Sequence, residues 1–411
     1  MDNISLSEID RRAEQLKDKL LAWRRDFHEH PELSNREHRT GKIVADHLRA
    51  LGLEVQAPVA RTGVVALLRG EKPGLVVALR ADMDALPVAE EVDLPFASKA
   101  KSEYEGNQVG VMHACGHDAH TAILMTVAEI LAGMKEQIPG TIKFIFQPAE
   151  EGPPGDEEGG AELMIKEGVL ENPRPAAIFG LHVIAGMATG KIGYRPGPTM
   201  AGADTIRIKV QGQQTHGAFP WQGVDPVVIA SQIVIGLQTI PSRQVDVTLE
   251  PCIVTISCIH GGVRDNIIPD HVDLVGTMRT FNETMREDIR NRIRITAEHI
   301  AISAGGSAEV RIEPGYDVTI NDHGLTEKMA PTLARVAGEG NTFIAPKLTG
   351  SEDFSKYQQV IPGLFFFLGI TPPDVKHAAP NHSPRFFVDE SGLVLGVRAL
   401  AHLAIDFLHT H

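Results

Sequence analysis

Leu75-Val76-Val77-Ala78-Leu79-Arg80-Ala81-Asp82-Met83-Asp84 is a short, nearly continuous apolar run that ends among carboxylates. A Val/Leu-rich run of this length without alternation is the pattern of a strand covered on both faces. Gly63 to Leu68, Thr141 to Phe146, Ala176 to Leu181 and Leu364 to Leu368 read the same way. Helical spacings lie around them. Ile9, Ala13, Leu16, Leu20, Trp23 and Phe27 recur every three to four residues over Ser7 to Phe27, and Pro31 ends that helix. A second helix is expected from about Glu37 to Leu51, stopped by Gly52. A third presents Ile123, Val127, Ile130, Leu131 and Met134 on one face and begins at Asp118 or Ala119, with Asp118 in position to cap it. Strands alternating with helices predict an α/β fold with a mainly parallel central sheet. Such sheets gather ligands outside the carboxyl ends of their strands. Asp84, Glu150, Glu151 and His182 all fall there.

The texture changes near Ala201. Thr205 to Val210 alternates like a half-exposed strand, Asp225 to Thr239 is helical, and strands follow around Val247 to Cys258 and His271 to Met278. A helix over Glu283 to Ser303 and a strand near Ala308 to Glu313 complete a βαββαβ, ferredoxin-like α+β unit. It reads as an insertion, dividing the chain into residues 1–200, 201–316 and 317–411, with the α/β texture returning after Tyr316. There a helical Leu325 to Val336 leads to Gly350-Ser351-Glu352-Asp353-Phe354-Ser355. Asn381-His382-Ser383-Pro384 forms a loop before a closing helix, Glu390 to Leu408.

At 411 residues two domains are the natural expectation. The 39 basic and 53 acidic residues leave a net charge of −14, with no basic tract, which argues against nucleic acid or an anionic membrane as partner. No apolar run reads as membrane-spanning, and Met1-Asp2-Asn3-Ile4-Ser5 is not a signal peptide, so a reducing cytoplasm is the expected home. Cys115, Cys252 and Cys258 lack a disulfide framework; Cys252 and Cys258, on one strand, read as core residues.

Met112-His113-Ala114-Cys115-Gly116-His117-Asp118-Ala119-His120 packs a thiol, three imidazoles and a carboxylate at the mouth of the third helix. That density reads as half of a metal site, against the plainer alternative of a surface His cluster beside one buried Cys. His113 and His120 support the ligands or simply lie on the surface. Thiolate, imidazole and carboxylate together suit zinc or another first-row divalent ion such as manganese, cobalt or nickel. Glu150 and Glu151, adjacent in extended backbone, point to opposite sides, so one can bind metal while the other moves protons. The alternative is a solvated acidic turn running into Asp156-Glu157-Glu158.

Five ordered segments carry a resemblance: Arg25-Asp26-Phe27-His28 with Pro31-Glu32-Leu33, Asp82-Met83-Asp84-Ala85-Leu86-Pro87, His113-Ala114-Cys115-Gly116-His117-Asp118, Gln147-Pro148-Ala149-Glu150-Glu151 and Gly350-Ser351-Glu352-Asp353-Phe354. Over essentially its whole length the chain resembles the metal-dependent amidohydrolases that include hippurate hydrolases, aminoacylases, auxin conjugate hydrolases and N-acetyldiaminopimelate deacetylases. The resemblance implies a zinc-peptidase-like catalytic domain with an inserted lid and dimerisation domain, hence a homodimer or higher oligomer. It implies two divalent ions held by Cys115, His117, Glu151, His182 and His382, with Glu150 as general base and acid and Asp84 orienting a ligand. It also implies a metal-held hydroxide that attacks the amide of an N-acyl amino acid or short peptide, releasing a carboxylic acid and a free amino acid. His216, in Gln214-Thr215-His216-Gly217-Ala218-Phe219-Pro220, matches a position that helps hold substrate or oxyanion. Asn266 matches one near the substrate carboxylate. Arg279 is either its neighbour in that role or a surface ion pair. Trp221 departs from the pattern, since many relatives place His after the Pro.

A carboxypeptidase or dipeptidase using the same site remains open, as does a catalytically silent binding protein on this fold. No G-x-S-x-G elbow, P-loop or dinucleotide fingerprint supports a serine hydrolase or a nucleotide enzyme.

Overall fold

The computed structural model describes residues 6–410; Met1–Ser5, read above as lacking a signal peptide, lie outside the described residues, as does His411. The chain forms two compact units. The first takes the chain up to Gly197, Ile320–Pro346 and the chain from Lys356 onward; the second takes Pro198–Thr319 and Lys347–Ser355.

In the first unit, α1 (Leu6–Gln15), α2 (Lys17–Glu29) and α3 (His38–Ala50) precede β1 (Glu54–Val59), β2 (Gly63–Arg69) and β3 (Lys72–Asp82). A hairpin of β4 (Lys101–Tyr104) and β5 (Asn107–Gly110) leads to α4 (His117–Ala132), β6 (Pro139–Gln147), α5 (Gly160–Lys166), β7 (Ala177–Ala188) and β8 (Ile192–Tyr194). The chain leaves through β9 (Gly197–Met200). The expected single N-terminal helix is two, broken at Leu16, whose ψ of 2° leaves the helical range. β1 and the β4–β5 hairpin were not anticipated: β1 alternates exposed and half-buried residues at a sheet edge, and the hairpin is mostly polar.

The eight-stranded sheet runs β1-β2-β6-β3-β7 and continues into strands from the end of the chain. β3 pairs parallel with both β6 and β7, as the apolar runs predict, while β1–β2 and β2–β6 are antiparallel. β7 extends six residues beyond His182, which therefore lies within the strand and not at its end, because β7 keeps pairing with its other neighbour after β3 stops.

The second unit contains β10 (Gly202–Gln211), β11 (Thr215–His216), α6 (Pro226–Leu237), β12 (Cys252–Gly261), β13 (Ile267–Ile268), β14 (His271–Thr280), α7 (Glu283–Ser303) and β15 (Ser307–Pro314). Its antiparallel sheet, ordered β12-β14-β10-β15, is the ferredoxin-like arrangement. Alternate residues of β10 (Ile206, Ile208, Val210) pack with Ile229 and Ile233 of α6 and Ile289 and Ile293 of α7. Asp225 caps α6 by accepting from Val227 N at 2.9 Å, with Pro226 at the first helical position, and Asn282 caps α7. Cys252 and Cys258 are half-buried, not core: β12 is an edge strand whose register shifts between Ile256 and Cys258.

The chain returns through β16 (Thr319–Asn321) to α8 (His323–Ala337), β17 (Thr342–Ile344), α9 (Phe354–Gln358), β18 (Gly363–Thr371) and α10 (Leu393–Thr410). Lys347–Ser355 clusters with the second unit, where the sequence reading kept it with the catalytic segment; Leu348 N donates to Thr199 O and Ala201 N to Leu348 O, both at 3.0 Å. β18 lies parallel to β7 and is buried along its whole length, including Phe365, Phe366 and Phe367. The sheet closes with β8 and β17. One expectation needs correction: the segment Glu390–Thr410, which contains α10, is long and apolar enough to cross a membrane by length and composition. It is mostly buried, with α10 against α1, α4, α8 and the central strands, as suits a core helix apolar nearly all round.

Candidate metal centre

Because β6, β3 and β7 run parallel side by side, their carboxyl ends open on one edge of the first unit. Asp82 pairs with Gln147 and Arg80 with Gly180, so the residues that follow, Asp84, Glu150, Glu151 and His182, arrive together. α4 delivers Cys115 and His117 to the same edge. Its N-cap is Gly116 at φ 91°, and a Cβ there would meet Val183 Cγ2 at 2.2 Å, so only glycine permits this approach of the turn to β7. The helix begins at His117, ahead of the expected start, and Asp118 is not its cap. Its carboxylate instead meets Arg24 Nε at 3.0 Å and His28 Nδ1 at 2.8 Å. His382 comes from the loop after β18 at φ 70°, its N–H donating to Ala114 O at 2.7 Å. Asn381 beside it donates to Cys115 O and Val183 O, and accepts from Ala185 N.

The donor atoms fall into overlapping sets whose members lie within 4.8 Å of one another: Cys115 with His117 and His182, Cys115 with Glu151 and His382, and His117 with Glu150 and Glu151. Cys115 Sγ is 3.4 Å from His182 Nε2, His117 Nε2 is 3.8 Å from both Glu150 Oε2 and Glu151 Oε1, and His382 Nε2 is 3.1 Å from Glu151 Oε1. Ligands held tetrahedrally at zinc distances lie roughly 3.3–3.8 Å apart. Both imidazoles also present the correct nitrogen. His117 directs Nδ1 at Asp84 Oδ1 (3.2 Å), and His182 donates Nδ1–H to Val183 O (2.8 Å), which leaves each Nε2 facing the cluster. His117 Nε2 and Glu151 Oε1 are buried without a hydrogen-bond partner; the His382 approach to Glu151 is close but not aligned as a hydrogen bond. Buried orphans of this kind are costly, and a cation between them satisfies both.

The electrostatics agree. Burial, then the charges of Glu151 and Glu150, push the Cys115 thiol well above its ordinary range. Burial works against a charged His117, but Asp82 and Asp84 outweigh it and raise its pKa to about 10. Burial, then His120, holds His182 well below its ordinary value, as a neutral imidazole with a lone pair to offer. This is a negatively biased pocket with protons standing where a divalent ion would replace them.

Around it lies a supporting layer that the sequence reading largely missed. Asp84 accepts from Ser34 Oγ at 2.7 Å and from the backbone N–H groups of Glu150 and Glu151 at 3.0 Å each. Glu37, buried at the start of α3, accepts from Ala149 N at 2.9 Å and so holds Ala149 at φ 53°, one residue before Glu150. Asp82 bonds His120 Nδ1 at 2.6 Å, and His120 Nε2 accepts from Val183 N at 2.9 Å, which makes His120 a buried support and not a surface residue. His113 is buried as well, and burial lowers its pKa to about 4. The Asp-Met-Asp spacing and the neighbour of His382 were visible signals for Asp82 and Asn381; Ser34 and Glu37 carried none.

His216, Asn266 and Arg279 belong to the second unit. His216 pairs with Ile267 across β11 and β13, and Gly217 N donates to Asn266 O at 2.8 Å, so His216 and Asn266 share one exposed ribbon. The His216 Nδ1 accepts from Ala218 N at 3.0 Å, and Phe219 stands between its ring and the exposed Trp221. Arg279, half-buried on β14, donates to Ser351 Oγ of the Gly350–Phe354 segment at 2.9 Å and makes no ion pair among the described residues.

Residues 78–406 match the model of a family described as peptidase family M20/M25/M40. The chain is 41% identical over 397 residues to thermostable carboxypeptidase 2 of Saccharolobus solfataricus, covering 96% of this chain and 97% of that protein. It is 42% identical over 315 residues to an N-acyl-L-amino acid amidohydrolase of Geobacillus stearothermophilus, covering 76% and 81%. The crystal structure of the Bacillus subtilis YXEP protein, described as a dinuclear metal-binding peptidase of the M20 family, superposes with a TM-score of 0.81 at 35% identity over 97% of this chain and 100% of that one.

Proposed function

From the premise that the chain belongs to peptidase family M20/M25/M40, we propose that it is a metal-dependent amidohydrolase that cleaves N-acyl amino acids to a carboxylic acid and a free amino acid. The observation that carries this reading is the pair of imidazoles, His117 and His182, each with Nδ1 engaged, the Nε2 of His117 turned toward Glu150 and Glu151 and that of His182 toward Cys115. Cys115, His117, Glu151, His182 and His382 hold two divalent ions, zinc or manganese, with cobalt or nickel as substitutes the same donors accept. Such ions polarise an amide carbonyl and acidify water to near neutrality. Glu150 is the proton carrier. Its backbone is fixed through Asp84, and its carboxylate takes a proton from the attacking water and returns it to the departing amine. Asp84 keeps His117 in the tautomer that offers Nε2. On the second unit, His216 and Asn266 serve the substrate, and Arg279, which has no carboxylate partner among the described residues, receives the substrate carboxylate. The same unit, acting as lid and dimer contact, makes the protein a homo-oligomer.

The carboxypeptidase name of a relative at 41% identity favours a second reading, short peptides cleaved at the same site. Amine release from N-acetyl and N-benzoyl amino acids and from dipeptides separates the two. Chelation and Glu150→Gln should each abolish turnover, the latter by about 10²-fold or more. Full activity in Glu150→Gln would remove Glu150 from the mechanism.

A further inference from the structure

The hairpin of β4 and β5 turns tightly at Glu105 (φ 49°) and Gly106 (φ 78°), the positive-φ pair of a twisted two-residue turn, and brings Tyr104 opposite Asn107. Tyr104 packs on a small apolar cluster of Leu33, Ala85 and Val111, so its ring is anchored. Beside it opens a cleft of about 410 Å³ whose walls include Leu33, Leu86, Pro87, Tyr104 and Pro154, and whose edge is Glu151. That volume lies in the range of small-molecule sites, and as in most of them the surface facing the cleft is more apolar than polar. Ser34, also in the wall, bonds Asp84, so the cleft starts at the metal-ligand cluster.

Charge decides which half of an amide belongs there. Arg36 is the cation in the wall, and its guanidinium is already engaged by Glu157 at 2.7 Å. Glu103 and Glu105 add two carboxylates. A free amino acid's carboxylate would be repelled from such a wall, whereas an uncharged acyl group buries apolar surface against it. We propose that this cleft receives the acyl half of the substrate, that it favours aromatic or branched acyl groups over acetyl, and that Tyr104 sets this preference; the proposal rests on the amidohydrolase reading above.

The test uses metal-loaded full-length protein and two variants, Tyr104→Ala, which opens the wall, and Leu86→Trp, which fills the cleft without unpacking the hairpin. The first readout is the ratio of kcat/KM for N-benzoyl against N-acetyl substrates. The second, independent of turnover, is calorimetric binding of benzoate against acetate. Each variant should lower the kcat/KM ratio at least fivefold and weaken benzoate binding more than acetate binding, and Tyr104→Phe should restore both. If amides are hydrolysed but the ratio stays within twofold in both variants, the cleft is not the acyl site while the amidohydrolase reading stands. A wild-type preference for dipeptides with a free terminal amine over benzoyl substrates also overturns the proposal. If no amide is hydrolysed yet benzoate binding depends on Tyr104, the reaction is misassigned and the cleft stands as a site for aromatic acids.

Discussion

Asp84 carries more of the candidate centre than any ligand does. One buried carboxylate accepts from Ser34 Oγ, from two successive backbone N–H groups and from His117 Nδ1, fixing the ring of one proposed ligand and the backbone of two glutamates. Burial alone would raise its pKa, but these donors hold it below the ordinary value, so it stays ionised. Asp84→Asn keeps the shape and places an amide N–H₂ where only an acceptor fits. Metal affinity should fall about 10–100-fold, measured by competition with a chromophoric chelator, and kcat/KM should fall with it. Unchanged affinity would reduce Asp84 to a packing residue. Asp84 was readable because it closes an apolar strand. Glu37 was not, because nothing local reveals that its carboxylate reaches Ala149.

At the scale of elements, α2 and α4 are tied by a buried ionic chain. His28 of α2 faces Asp118 at 2.8 Å with one ring nitrogen and Glu90 at 3.0 Å with the other, so both nitrogens donate and the ring is an imidazolium. Burial opposes that charge, but the two carboxylates outweigh it and raise the pKa of His28 above 6.5. Asp118 moves the other way: against burial, Arg24 and His28 hold it below 3.8. The signs follow by linkage. His28 contributes stability that is complete below pH 6.5 and lost as pH rises through its folded value, while Asp118 contributes stability above pH 3.8 that is lost as pH falls through its own. His28→Gln should therefore cost about 3–5 kcal/mol in urea unfolding at pH 6 and progressively less toward pH 9. A cost independent of pH would mean that His28 is neutral in the fold. Helical periodicity gave α2 and α4 but not this tie, since an amphipathic pattern records which face is covered and not by what.

At the scale of the whole molecule, every proposed metal ligand lies in the first unit, although Cys115 and His382 are far apart in the chain. Metal binding should protect that unit by mass action. Chelation should speed amide hydrogen exchange around residues 82–84, 115–120, 147–151 and 182, while the β10–β14 ladder of the second unit stays protected; equal losses in both units would contradict this assignment. The amino-acid sequence by itself determined the α/β class, the parallel central strands, the βαββαβ insertion and the residue types of the site, because burial period and donor chemistry are local properties of the chain. It could not assign Lys347–Ser355 to the second unit, foresee that β7 runs on past His182, or find the Tyr104 cleft. Those depend on which strand has a neighbour left to pair with and which surfaces meet, and such partners are chosen only when distant segments pack together.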